Sequence, residues 1–372
     1  MLKIGITGQA GFVGTHLYNT LGLHSEEFER IPFNRDFFSN QQQLEQFVSH
    51  CDVIVHLAAM NRYNDPKVLY DTNIGLVTKL IQSLKQTNSK AHVLFSSSSQ
   101  EERDNLYGKS KKEGRVLFIN WAKESGGIFS GMIIPNVFGP FGHPNYNSFI
   151  ATFCHKLSHH ETPIIEVDGT VKLIYIGELI AEILAEIRRK KGNDKFIIPY
   201  TSESKVSEIL CLLEFYKESY LDKGIIPSLN NTFELNLFNT FRCYMNIANH
   251  FPVKFVEHTD PRGSFFEVIR LGVGGQVSFS TTVPGITRGN HYHTRKIERF
   301  AVIKGKALIQ LRCIGTNEVL DFYLDGDTPS YVDMPIWYTH NIKNIGDEVL
   351  YTNFWINEFY DPNDPDTYFE NV

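Results

Sequence analysis

The run Leu2-Lys-Ile-Gly-Ile-Thr-Gly8-Gln-Ala-Gly11-Phe12-Val-Gly14 decides how the first half of the chain is read. An apolar stretch, Leu2–Thr7, runs directly into three glycines spaced three apart, and a helical pattern starts at about Phe12. Glycine at such positions permits a tight turn, close approach of the backbone to a pyrophosphate, and close helix–sheet packing. A helix opening at Phe12 aims its first N–H groups at the phosphates. An ordinary glycine turn is the bland alternative, but the place between strand and helix favours a dinucleotide site.

Outward from that turn, Val53–Leu57, Val93–Ser96 and Ile128–Ile134 are short apolar runs without period-two alternation, as strands of a covered parallel sheet should be. Leu44–Ser49, Leu76–Thr87 and Ser110–Ser125 between them carry helical spacing. Strand–helix alternation predicts an α/β doubly wound sheet. The second strand is expected at Phe28–Phe33, followed by Asn34, Arg35 and Asp36. An acidic residue there binds the ribose hydroxyls of NAD, and an arginine accommodates the phosphate of NADP; with Arg35 and Asp36 adjacent, the reading leans to NADP. Tyr107-Gly-Lys-Ser-Lys111 sets a tyrosine and a lysine four apart on one helical face. A lysine there is expected to lower the phenol pKa, and the phenol can then exchange a proton with a carbonyl or alcohol oxygen during hydride transfer. Phe95-Ser-Ser-Ser-Ser99 closes a strand upstream, where a hydroxyl reaches the same oxygen.

The texture changes near residue 250. Gln276–Thr282, Arg299–Ile303, Ala307–Cys313 and Val349–Trp355 are short strands separated by Gly, Asp, Asn and Pro turns, which predicts a β-sandwich or barrel. The join is expected in Asn246–Pro252, giving domains 1–247 and 248–372, with residues 205–245 as helices that finish the first. Within the second half, His291 and His293 share a strand face, Glu298 follows a turn, and His340 comes from Pro335-Ile-Trp-Tyr-Thr-His340. Imidazoles plus a carboxylate suit a divalent transition ion, and spacing alone leaves zinc, iron, nickel and manganese open. Tyr338 and Asp333 are weaker acid/base candidates.

The 372 residues are 42% hydrophobic and 21% charged with a net charge of -6, which fits globular domains and argues against nucleic acid as the main partner. Five scattered cysteines give no CxxC pair, in keeping with a reducing compartment. Residues 125–155 lack Asp, Glu, Lys and Arg, but five Gly and three Pro interrupt them, so loop and buried strand are expected rather than a membrane span. The N-terminus has no basic n-region with a cleavage site, and a cytoplasmic protein is expected.

The glycine turn, His56-Leu57-Ala58-Ala59, the serine run, Tyr107-x-x-x-Lys111 and Asn136-Val-Phe-Gly-Pro140 together resemble the extended short-chain dehydrogenase/reductases (SDR) that act on nucleotide sugars, over roughly residues 1–245. The resemblance implies a Rossmann domain with Tyr107 as acid/base and Lys111 as its partner and a ribose ligand. The hydroxyl is assigned to Ser98, with Ser97 the alternative. Gly8, Gly11, Phe12, Gly14, Arg35, Leu57, Ala58, Ala59 and Asn73 then line the cofactor cleft, and Asn136, Asn145 and Asn147 face the sugar. One departure is the long stretch from Ser98 to Tyr107.

Residues 285–305 resemble the first cupin motif at every position; the second motif departs at Trp337, where the pattern has glycine. An all-β jelly-roll cupin is therefore implied, with His291, His293, Glu298 and His340 as metal ligands. Asp260-Pro-Arg-Gly-Ser-Phe265 and Arg288-Gly-Asn-His291 also resemble cupin-fold deoxysugar epimerases, in which the histidine matching His291 is a base and arginines, here Arg262 and Arg288, hold the nucleotide diphosphate. One imidazole cannot easily be both base and ligand, and the companions of His291 favour the ligand role.

From end to end the chain resembles the bifunctional capsular-polysaccharide enzymes of UDP-N-acetyl-L-fucosamine synthesis. That likeness implies C3 epimerisation of a UDP-4-keto-6-deoxy-N-acetylhexosamine by the cupin, then NADPH reduction of the C4 ketone. The product is UDP-2-acetamido-2,6-dideoxy-L-talose, the ion is expected to be zinc, and the protein a homodimer. The alternative is a reductase or epimerase of single activity whose cupin only dimerises.

Overall fold

The computed structural model describes residues 1–372, which divide into two compact units. The first unit, 1–152 with 167–206, is built on a six-stranded sheet. Its strands are β1 (Leu2–Thr7), β2 (Phe28–Ile31), β3 (Val53–His56), β4 (His92–Ser98), β5 (Ile128–Ile134) and β8 (Asn193–Ile197), ordered β2-β1-β3-β4-β5-β8, every pair parallel. A small sheet of β6 (Asn136–Phe138), β7 (Thr170–Tyr175) and β9 (Ser202–Lys205) lies in the same unit. Helices α1 (Phe12–Gly22), α2 (Gln41–Ser49), α3 (Pro66–Gln86) and α4 (Leu106–Ser125) connect the strands. The chain runs from β1 out to β2 and returns past β1 to β3, so the topological switch, and with it the ligand crevice of such sheets, falls at the C-terminal ends of β1 and β3.

Local chemistry explains these boundaries. Val53–His56 is buried at every position, as a strand covered on both faces must be. Asp65 caps α3 by accepting from Lys67 N, and Pro66 occupies the first helical position, where no N–H is needed. Asn105 caps α4 by accepting from Gly108 N at 2.7 Å, and Gly126, with φ of 70°, ends it. Phe95, Phe118, Trp121, Leu80 and Leu84 pack the core between α3, α4 and the sheet. The second strand stops at Ile31 rather than Phe33. Asn34 there accepts from Asp36 N and starts a 3₁₀ turn at Arg35–Ser39, which takes the backbone out of the sheet.

One ion pair is built into this unit below the surface. Arg115 donates from Nε and Nη2 to Glu101 at 2.9 and 2.8 Å, and Ser97 donates to the same carboxylate. Both charges are almost wholly covered. Arg115→Met leaves the carboxylate buried without its partner and is expected to destabilise the protein by ~3–5 kcal/mol. Chemical denaturation checks this, and an unchanged midpoint would contradict it.

The second unit, 153–166 with 207–372, holds two five-stranded sheets, ordered β10-β18-β15-β20-β13 and β17-β16-β19-β14-β21. These strands are β10 (Val253–Lys254), β13 (Gln276–Thr282), β14 (Thr287–Tyr292), β15 (Glu298–Lys304), β16 (Lys306–Cys313), β17 (Val319–Asp325), β18 (Ser330–Met334), β19 (Tyr338–Asn344), β20 (Leu350–Ile356) and β21 (Tyr368–Phe369); β11 (Glu257–Asp260) and β12 (Gly263–Phe266) form a separate hairpin. All strand pairs of the unit are antiparallel, and Val302, Ile309, Leu311, Val332 and Ile342 fill the core. This is the jelly-roll arrangement.

The helical segment 207–245 belongs to the same compact unit as this barrel, whereas the division read from the sequence falls at 247/248. A buried network explains it. Arg299 pairs with Asp333 at 2.7 Å, Tyr220 donates to Asp333 at 2.7 Å, Arg299 reaches Gly224 O, and Arg242 reaches Met334 O. Breaking such pairs costs several kcal/mol, so they fasten the helices to β15 and β18. No helix is long and apolar enough to cross a membrane.

Candidate active site and candidate metal centre

The glycine turn folds as its spacing requires. Gly8 has φ of 77°, and a Cβ there would lie 2.8 Å from Ala58 N. A Cβ on Gly14 would lie 2.2 Å from Gly8 O, so α1 starts hard against the end of β1. Gly11 caps α1, and its N–H donates to Gly8 O at 3.0 Å. Phe12 opens the helix, its ring edge-on to His16 at 5.5 Å and facing the Gly139 turn. Leu57, Ala58 and Ala59 form the facing wall: Leu57 N donates to Thr7 O, and Asn73 holds the loop by pairing with both the N–H and the carbonyl of Met60. The exposed Arg35 stands just past β2. Backbone N–H groups converging where no side chain fits make a cradle for a dinucleotide pyrophosphate.

Beside this crevice, β4 and α4 bring Ser98, Tyr107 and Lys111 together. Lys111 is buried, with its Nζ 2.9 Å from Ser96 O and 5.8 Å from the centre of the Tyr107 ring. Burial pushes its pKa down to about 8. The Tyr107 hydroxyl donates to Asn61 Oδ1 at 3.1 Å and interacts with Ser98. The phenol is not lowered as the sequence reading expects. Burial dominates and pushes it up to about 12, with the Ser98 contact opposing only in part. The two candidate serines separate cleanly. Ser97 points into the sheet toward Glu101, whereas Ser98 faces the phenol and also caps the 3₁₀ turn 99–102. The long Ser98–Tyr107 stretch is that turn plus the fold-back that carries Glu101 inward.

Asn136 donates to Lys172 O at the start of β6. Asn145 (φ of 58°, its N–H donating to Thr152 Oγ1) and Asn147 are exposed. Between them Tyr146, also exposed, reaches the site with its hydroxyl, which accepts from Asn61 N at 3.3 Å and sets it beside Tyr107. Asn61 and Tyr146 are therefore site residues that no spacing rule signals.

In the second unit His291, His293, Glu298 and His340 converge, and their ligand atoms all lie within 4.8 Å of one another. The bulge at Gly289–His291 in β14 sets His291 opposite His340 of β19. His293 Nδ1 lies 2.5 Å from Asp366 O and His340 Nδ1 lies 3.2 Å from Tyr338 O. Each ring thereby keeps Nε2 for the centre, 3.2 and 3.1 Å from Glu298 Oε2. His340 Nε2 is buried and makes no hydrogen bond of acceptable geometry, an orphan that a cation would satisfy. Burial pushes His291 down to about 4, so it is neutral, as a ligand must be. Burial would raise Glu298, but the His293 and His340 imidazoles beside its carboxylate outweigh it and hold the carboxyl well below the usual range. Ligands at ~2.0–2.2 Å from one ion stand about 3–4 Å apart, so this cluster needs little contraction to hold one.

The other residues of the second unit are less gathered. Asp333 is consumed by Arg299 and Tyr220, away from any acid/base role. Arg262 sits at the tip of the β11–β12 hairpin, paired with Asp260 and 89% exposed. Arg288 donates to Thr282 Oγ1 and Thr281 O on the surface.

Residues 4–198 match the NAD dependent epimerase/dehydratase family and residues 258–368 match the polysaccharide biosynthesis C-terminal domain. The UDP-2-acetamido-2,6-beta-L-arabino-hexul-4-ose reductase of Pseudomonas aeruginosa is 30% identical over 99% of this chain and 98% of its own. The crystal structure of the capsular polysaccharide assembling protein CapF from Staphylococcus aureus is 36% identical over the whole of both chains, with a TM-score of 0.63. A structure of CapF with the inhibitor 3-isopropenyl-tropolone is 34% identical, again over both whole chains, with a TM-score of 0.58. Glycine turn, Tyr-x-x-x-Lys pair, jelly roll and full-length likeness agree: the chain belongs to the NAD dependent epimerase/dehydratase family, in the CapF arrangement of an SDR domain followed by a cupin.

Proposed function

We propose that this protein is a bifunctional nucleotide-sugar enzyme of capsular or O-antigen polysaccharide synthesis. Its cupin epimerises a UDP-4-keto-6-deoxy-N-acetylhexosamine at C3, and its SDR domain reduces the C4 ketone with NADPH to UDP-2-acetamido-2,6-dideoxy-L-talose. The observation that carries the reading is the Ser98–Tyr107–Lys111 cluster at the mouth of a dinucleotide crevice. The 30% identical relative bears the name of a reductase of such a hexulose, which points to the same substrate class.

NADPH, when bound, supplies the hydride. The chain supplies the proton. Tyr107, pushed up to about 12, is protonated throughout the physiological range and is thus an acid able to donate to the developing alkoxide at C4. Ser98 donates a hydrogen bond to the same oxygen, and the buried Lys111 ammonium favours negative charge building nearby. Arg35 is the residue for the 2′-phosphate.

In the cupin, His291, His293, Glu298 and His340 hold a divalent cation, zinc in first place. A cation held by these four residues would supply Lewis-acid stabilisation for negative charge on the sugar's ketone oxygen. The tropolone bound by CapF carries adjacent ketone and hydroxyl oxygens, a pair that chelates divalent cations, and the same compound is expected to inhibit this protein.

The proposal is tested by following NADPH oxidation with a UDP-4-keto-6-deoxy-N-acetylhexosamine and identifying the sugar formed. A talosamine product supports it, and no oxidation with any such ketone refutes it. Because the active form carries charged Lys111, kcat/KM for reduction is expected to fall as pH rises through about 8. A profile flat to pH 10 would exclude that role for Lys111.

A further inference from the structure

The tail Tyr360-Asp-Pro-Asn-Asp-Pro-Asp-Thr-Tyr-Phe369 has no part in either reaction above, yet one of its residues, Asp366, is only 2% exposed. Asp366 adopts φ of 39°, which residues with a Cβ rarely do, so the surroundings hold it there. Its Oδ1 accepts from Thr294 Oγ1 at 2.6 Å and Thr294 N at 3.1 Å. Its Oδ2 accepts from Arg295 N at 3.0 Å and Lys296 N at 3.1 Å. One carboxylate thus satisfies three successive N–H groups of the turn that separates His293 from Glu298. The carbonyl of the same residue meets His293 Nδ1 at 2.5 Å. Neighbours reinforce the strap: Lys296 Nζ donates to Pro365 O, Arg295 pairs with Glu358 and Asp364, and β21 pairs with the β14 residues His291 and Tyr292.

We propose that Asp366 is a positioning residue for the cation site, through which the C-terminal tail sets the two ligands on either side of the 294–297 turn. The carbonyl fixes the His293 tautomer and ring plane so that Nε2 faces the centre. The carboxylate fixes the turn, and with it the distance from His293 to Glu298. This inference rests on reading His291, His293, Glu298 and His340 as metal ligands.

The test uses full-length protein stripped with a chelator and titrated with Co²⁺, followed by visible absorption. Asp366→Ala is expected to weaken Co²⁺ binding by about ten- to a hundredfold and to change the ligand-field bands. Asp366→Asn turns an NH₂ group toward N–H donors and is expected to weaken binding several-fold, and it carries the test should the alanine variant not fold. A purely structural Asp366 would lower apo-protein thermal stability while leaving affinity and spectrum as in wild type, and that result overturns the proposal. If wild type itself binds no Co²⁺, the metal reading falls and this inference with it. If wild type binds and both variants match it, only the strap is lost.

Discussion

Tyr107→Phe is expected to lower turnover of C4-ketone reduction by ~10²–10⁴-fold, the usual contribution of a positioned proton donor. The change removes one hydroxyl, whose contacts are Asn61 Oδ1 and Ser98. The aromatic ring beside Lys111 is kept, so NADPH affinity is expected to stay within a few-fold of wild type. The barrel lies in a separate compact unit with its own ligand cluster, so loss of the C3 proton is expected to continue at the wild-type rate. Steady-state NADPH oxidation, fluorescence titration of NADPH and isotope exchange at C3 read the three quantities separately. Retained turnover in a folded Tyr107→Phe protein would remove the phenol from the chemistry.

Glu298→Ala is the second change of large effect. Its carboxylate lies between the Nε2 atoms of His293 and His340 and is the only anion in the cluster. Without it, a divalent cation in this covered site loses its one charged ligand. Affinity is expected to drop at least ~100-fold, more than for loss of an outer partner. Exchange at C3 is expected to fall with metal content, while reduction of an already epimerised ketone continues. His293 is held above its ordinary pKa: burial lowers it, but the hydrogen bond and charge of Glu298 raise it further. A ligand must be deprotonated, so metal affinity in wild type declines as pH falls through that raised value. If Glu298→Ala gave the same product stereochemistry at the same rate, the barrel would be a structural module and the reading of single activity would stand.

The parts of this account legible in the sequence are those encoded at short range. Gly8, Gly11 and Gly14 announce the crevice because strand, turn and helix follow one another within 14 residues. Tyr107 and Lys111 are one helical turn apart, and His291 and His293 sit on one strand with Glu298 just beyond the turn. The alternation of buried runs and helices yields the parallel sheet, and the short turn-bounded strands yield the jelly roll.

What escaped was long-range or electrostatic. Asn61 and Tyr146 meet Tyr107 from 46 residues before it and 39 after it in the numbering; Tyr146 lies within the run 145–148 expected to face the sugar, but nothing along the chain ties either residue to the phenol. Asp366 reaches Thr294 across 72 residues. Helices 207–245 fall with the barrel because Arg299 and Asp333 meet Tyr220 and Gly224, a partnership invisible along the chain. The direction of the Tyr107 shift follows from burial, and spacing carries no measure of burial. Arg262 illustrates the converse: a motif residue that the fold leaves paired with its own neighbour at an exposed hairpin tip.

The most direct measurement is NMR of the sugar formed when the full-length protein meets a UDP-4-keto-6-deoxy-N-acetylhexosamine with NADPH in deuterated water. The account predicts a 6-deoxy-L-talosamine carrying solvent deuterium at C3 and, with nicotinamide protium as the source, hydrogen at C4. A reduced sugar with C3 unexchanged and uninverted, or an exchanged ketone never reduced, would contradict it.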